Sequence, residues 1–150
     1  MRVTTQTEYA VRALINLVGA ENPVSVTSMA KREGLSRDYV EQLLIKLRRA
    51  KIVKSYRGVQ GGYMLCRKPG RITFADIHQA VEGDVFRAPC DQFLGSCKGQ
   101  KKCRLTNVWG KIGTKVHKAF RSVTLLDAWE EEVLSRMTPK KRLAALRSVR

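Results

Sequence analysis

The sequence predicts a mostly α-helical fold carrying one small β hairpin, and three observations predict it. Apolar residues recur at helical spacing over 5–20 and again over 37–50. KIVKSY at 51–56 and YMLC at 63–66 are short β-prone runs separated by RGVQGG. Leu105, Val108, Trp109, Ile112, Val116, Ala119, Phe120 and Val123 then form an apolar stripe too long for so small a body to cover.

Each element has its own signal. Tyr9, Ala10, Ala13, Leu14, Leu17 and Val18 give residues 5–20 an inner face, Glu8, Arg12 and Asn16 an outer one, and Thr5-x-x-Glu8 has capping-box spacing. After Pro23, Val24 and Val26 alternate with Ser25, and Thr27 is placed to cap a short helix that ends at Gly34. Ser36 caps a third helix in which Tyr39, Val40, Leu43, Leu44 and Leu47 face inward, leaving Arg37, Asp38, Glu41, Gln42, Lys46, Arg48 and Arg49 available. A short helix, a glycine turn and a longer helix make a helix-turn-helix, and the hairpin directly after it is a wing with a flexible basic tip. The architecture expected is therefore a winged helix-turn-helix plus a long dimerisation helix. Thr73 and Asp76 open a fourth helix that Gly83 closes, and Thr124 and Asp127 offer a new cap after a break at 122–124. These signals divide the chain into a reading domain at 1–83, a segment without periodicity at 84–103, dimerisation helices at 104–137 and a basic tail at 138–150.

Composition narrows the partner. The 150 residues carry 29 Lys plus Arg against 13 Asp plus Glu, a formal charge of +16 that both halves share. Such a bias favours a polyanion such as nucleic acid over a solvated basic surface with no partner. Glu8 and Arg12 interrupt the only apolar run that resembles a signal peptide, and no segment approaches the roughly 18 uncharged apolar residues of a membrane span. A cytoplasmic setting is expected, with no membrane association. No Ser/His/Asp or Cys/His constellation, phosphate loop or carboxylate pair suggests an enzyme.

Three of the four cysteines, Cys90, Cys97 and Cys103, fall within CDQFLGSCKGQKKC. In a reducing compartment a cluster of thiols is a ligand set or a redox device rather than a disulfide framework. The gaps are wider than the close pairs of structural zinc, and ligands spread along a flexible segment suit an iron-sulfur core. A structural zinc site or redox-active thiols without a cluster, on a winged helix that binds DNA or RNA, is the alternative. Cys66, closing the second wing strand, reads as a small packing residue, and His78 and His117 as ordinary helix residues.

MRVTTQTEYAVRAL, the joined YVEQLL and RGVQGGYML block, the cysteine stretch and the long following helix together resemble the IscR/NsrR family of bacterial transcription regulators, over roughly residues 1–135. The resemblance implies a homodimer crossed through the long helix, pseudo-palindromic operators in double-stranded DNA and an iron-sulfur cluster held by Cys90, Cys97 and Cys103. In one branch of that family a histidine three residues after the last cysteine is the fourth ligand, but Thr106 stands there. In the other an acidic residue near position 8 of the partner chain serves, and this chain has Glu8; that branch favours a 4Fe-4S cluster over 2Fe-2S. The competing role for Glu8 is helix capping. Arg37, Lys46, Arg48, Lys54 and Arg57 are candidates for phosphate or groove contact, with Arg57 placed to reach a minor groove. Asp38 and Gln42 share their helix. The resemblance places a base-reading glutamate at Glu41, which suits an acceptor for cytosine N4; the alternative is an ion pair with Arg37.

Overall fold

The computed structural model describes residues 4–86 and 105–133. Cys90, Cys97, Cys103, Pro139 and the basic tail lie outside the described residues. The described chain forms six α-helices and one two-stranded antiparallel sheet.

Helix α1 (Thr5–Ile15) begins at Thr4, whose side chain accepts a hydrogen bond from the Gln6 N–H. The capping box expected from Thr5 and Glu8 does not form, because the helix starts one residue earlier and Glu8 pairs with Arg12 at 3.3 Å. The helix is also shorter than its apolar pattern. Asn16 Nδ2 donates to the Arg12 carbonyl at 2.9 Å and to Glu33 Oε1 at 2.6 Å, and the chain leaves through a tightened turn to Gly19 at φ 73°.

Helix α2 (Val26–Glu33) is capped by Ser25 rather than by Thr27. Val24 exchanges two backbone hydrogen bonds with Tyr63, at 3.0 and 2.9 Å, so the backbone is extended through Val24 and Ser25 is the first residue free to cap. Gly34 ends the helix in the left-handed conformation, φ 66°, as glycine does cheaply. Ser36 then caps α3 (Arg37–Arg49). Lys51 turns the corner at φ 55°, the one non-glycine described residue with positive φ, and the chain enters the wing.

Strands β1 (Val53–Tyr56) and β2 (Gly62–Leu65) pair from Val53 opposite Leu65 to Tyr56 opposite Gly62. The double glycine is not a flexible spacer. A Cβ on Gly61 would lie 2.6 Å from the Tyr56 carbonyl, and one on Gly62 would collide with the Val24 backbone. Only glycine lets three backbone segments approach here.

After a 3-10 turn at Pro69–Arg71, α4 (Phe74–Val81) opens with the Thr73–Asp76 capping box. Helix α5 (Thr106–Ser122) follows, and then α6 (Leu125–Glu132) with its Thr124–Asp127 box. Two backbone hydrogen bonds, Phe74 N–H to Val123 and Leu125 N–H to Ile72, stitch the α5–α6 break onto the start of α4. They seat Leu125 and Trp129 in the core built from Leu14, Met29, Leu43, Leu44, Leu47, Ile52 and Ile77. Helix α5 stays largely outside it: Val108 and Ile112 are 47% and 37% exposed, and Leu105 and Val123 are exposed too.

Candidate nucleic-acid interface

One face of α3 is the apolar set Val40, Leu43, Leu44 and Leu47, all buried. With 3.6 residues per turn, that fixes Arg37, Asp38, Glu41, Gln42, Ile45, Arg48 and Arg49 on the other face. Arg37, Asp38, Gln42, Arg48 and Arg49 are exposed there, and Glu41 is half-buried. Among the described ion pairs Glu41 and Arg37 are not joined, so the carboxylate is not committed to the neighbour that would neutralise it.

The wing continues this surface. Val53 is buried, while Lys54, Ser55 and Tyr56 are exposed. Arg48 Nη1 donates to Ser55 Oγ at 3.3 Å, joining the last turn of α3 to β1. Lys54 Nζ sits 5.3 Å from the Tyr56 ring centroid; a side-chain hydrogen bond with Tyr56 is the main cause holding its ammonium above the ordinary lysine range. Arg57 is exposed at the tip, and Val59 beside it projects entirely into solvent, 108% exposed. Ser55, Tyr56 and Val59 are also exposed on the wing and were not among the residues expected from the sequence to face DNA. For Val59, an apolar residue in the glycine-rich run 58–62 with no core to enter was the available signal.

The structure does not bring Lys46 to this surface. Its Nζ turns inward, donating to Gln6 Oε1 and to the Val81 carbonyl, each at 3.0 Å. Of the eight residues expected to face DNA, Arg37, Asp38, Gln42, Arg48, Lys54 and Arg57 are exposed and Glu41 is half-buried, whereas Lys46 is tied to α1 and α4.

Expected metal ligands divide differently. Glu8 stands on the outer side of α1, its side chain 55% exposed and, among the described residues, paired with the exposed Arg12. It lines a groove of about 380 Å³ with Val11, Ile15, Phe74, Ala128 and Glu131. A carboxylate held by one solvent-exposed partner is open to exchange for a metal, which a carboxylate locked in a cap would not be. Cys66 is exposed rather than packed, because β2 ends at Leu65 and the chain turns outward after the Cys66 N–H bonds the Ile52 carbonyl. His78 is buried between α4 and α5, Nδ1 3.2 Å from the Gly83 carbonyl and its ring edge-on to Phe120. Among the described residues no three His, Cys, Asp or Glu side chains converge to hold a metal, and no helix is long and apolar enough to cross a membrane.

Comparison with known proteins bears on the family and the fold. The family model Rrf2, described as an iron-dependent transcriptional regulator, matches residues 3–131. The HTH-type transcriptional regulator IscR of Xenorhabdus nematophila is 34% identical over 127 residues, covering 83% of this chain and 77% of that protein. Protein rrf2 of Nitratidesulfovibrio vulgaris is 31% identical over 136 residues, covering 89% and 91%. Among solved structures, T. potens IscR superposes with a TM-score of 0.68 at 35% identity, covering 92% of this chain and 93% of that one. CymR, the global cysteine regulator of B. subtilis, gives 0.69 at 32%, covering 87% and 98%.

Proposed function

The chain belongs to the Rrf2 family of transcriptional regulators, and from that premise we propose that it is a homodimeric DNA-binding regulator whose hold on its operator is set by an iron-sulfur cluster. One observation carries the DNA reading: the Arg48–Ser55 hydrogen bond ties the last turn of α3 to β1, and Arg37, Arg48, Lys54 and Arg57 are all exposed along this helix and wing. Such an arrangement suits a helix in the major groove and a wing arginine in the adjacent minor groove. Cations fix register through phosphates, while Glu41 and Gln42 supply the acceptor and amide that read base edges.

One feature supports the assembly. The exposed apolar side chains of α5, Leu105, Val108 and Ile112, fit burial against the same helix of a second copy. Two-fold pairing then sets two α3 helices against a pseudo-palindromic site, spaced by about 34 Å or a multiple. Residues 1–83 act as the reading domain, 84–103 as the cluster segment, 104–137 as the dimerisation helices and 138–150 as a basic tail.

Cys90, Cys97 and Cys103 would hold the cluster as soft thiolates, with Glu8 of the other protomer as a hard fourth donor. When bound, the cluster supplies a redox- and nitric-oxide-sensitive centre whose oxygen-ligated iron is its most exchangeable site. The chain's own residues orient it: Arg12 releases Glu8, and Lys98, Lys101, Lys102 and Arg104 offset the negative charge of the thiolate-ligated core. The carboxylate donor favours 4Fe-4S. Protein prepared without air is expected to be coloured and to contain iron and sulfide, and Glu8→Ala to alter its absorption and hasten cluster loss. Colourless protein containing zinc would replace the cluster by a structural metal; an unchanged cluster in Glu8→Ala would remove Glu8 from the ligand set.

A further inference from the structure

The corner where α1, α3 and α4 meet holds a polar cluster that no part of the DNA-facing surface uses. Lys46 reaches into it from α3, donating to Gln6 Oε1 in the first turn of α1 and to the Val81 carbonyl at the end of α4, 3.0 Å each. Beside it, the hydroxyls of Thr4 and Thr7 both donate to Glu82 Oε1 at 2.5 Å. A helix leaves its last carbonyls without intrahelical partners and its C-terminal dipole end favours a cation, so an ammonium at Val81 meets both needs. A lysine intended for phosphate gains nothing by turning inward, because desolvating its charge is costly unless its donors are satisfied there.

We propose that Lys46 is a positioning residue for DNA recognition, fixing α3 against α1 and α4 so that Glu41 and Gln42 enter the groove in one register, without itself touching DNA. The inference rests on the exposed face of α3 being the reading surface. Lys46 is one turn and a half from Glu41 on the same rigid helix, so a tilt permitted at residue 46 displaces the base-reading edge. Hydrogen bonds to base edges weaken steeply with misalignment. Arg37 and Arg48, on α3 itself, would reach phosphates through long flexible side chains that absorb the same tilt. Losing the tie therefore removes discrimination and leaves general affinity in place.

Full-length wild type, Lys46→Met, Lys46→Arg, Gln6→Ala and Glu41→Ala are compared on two duplexes across a range of salt: one selected by the wild type from a randomised library, and a base-shuffled duplex of equal length. Lys46→Met is expected to lower the selected-to-shuffled affinity ratio by about 5- to 150-fold, the range carried by one good base contact, with unchanged shuffled-duplex affinity and salt slope. Gln6→Ala, which keeps every basic group, lowers the ratio in the same direction, and Lys46→Arg restores it. Equal loss on both duplexes with a slope shallower by about 0.9 makes Lys46 a phosphate contact and overturns the proposal. An unchanged ratio in Gln6→Ala overturns it too, and decides alone if Lys46→Met does not fold. If Glu41→Ala lowers the ratio while the Lys46 and Gln6 variants do not, only the positioning role falls; if Glu41→Ala also leaves it unchanged, the α3 reading falls with it.

Discussion

Two carboxylates show how position decides a residue's role. Glu41 is half-buried on the outer face of α3 and unpaired with Arg37, and near phosphates an acidic side chain costs affinity. It is worth keeping only if it accepts a hydrogen bond from a base. Glu41→Ala is expected to lose about 1–3 kcal/mol of operator discrimination while random-DNA binding holds or strengthens; equal weakening on both would reject the reading role. Glu82 faces inward. Burial opposes its ionisation, but hydrogen bonds from Thr4 and Thr7 and the nearby His78 outweigh this and hold its carboxyl below the ordinary range. The folded state thus binds that proton less tightly than the unfolded chain. Its contribution is complete above the unfolded glutamate pKa of about 4.3 and disappears as pH falls through the depressed folded value. Urea unfolding of Glu82→Gln should show a flatter acid limb than wild type; parallel limbs would contradict the assignment.

At the scale of elements, the wing is the most constrained piece. Gly62 is gripped between β1 and the Val24 backbone, so Gly62→Ala should cost about 1–3 kcal/mol as an overpacked contact that backbone on both sides cannot relieve. Gly70→Ala is the matched control, since its Cβ would meet only Leu126 Cδ2 at 3.5 Å. Similar thermal midpoints for the two would show that the wing yields. The same element marks where sequence reasoning stopped. Helix faces, the Gly34 turn, the Thr73 and Thr124 boxes and the hairpin were legible because each depends on residues within a few positions of one another. What was missed depends on partners far away: Val24 on Tyr63 moved the α2 cap to Ser25, Glu33 helped to end α1 at Asn16, and Gln6 and Val81 drew Lys46 inward. Within the candidate site, the exposed face of α3 was visible from its periodicity, whereas the Arg48–Ser55 join and the exposed Val59 were not.

At the scale of the whole molecule, the corner that ties α1, α3 and α4 together immediately precedes the proposed cluster segment in the chain. Thr4, Gln6, Thr7, Lys46, Val81 and Glu82 tie α1, α3 and α4 together, and Gly83 follows directly, at the threshold of residues 84–103. Glu8 lies one turn along α1 from Thr4. In the account proposed above, a cluster that engages Glu8 pulls on α1 from one protomer and on the end of α4 from the other. The separation of two α3 helices, and hence the fit to successive turns of duplex, then depends on whether the cluster is present. The direct measurement is operator affinity of anaerobically prepared protein, iron and sulfide content verified, before and after the cluster is stripped by a chelator. A change of about 5- to 150-fold is expected between the two forms. Identical affinity in the loaded and stripped protein would contradict the account.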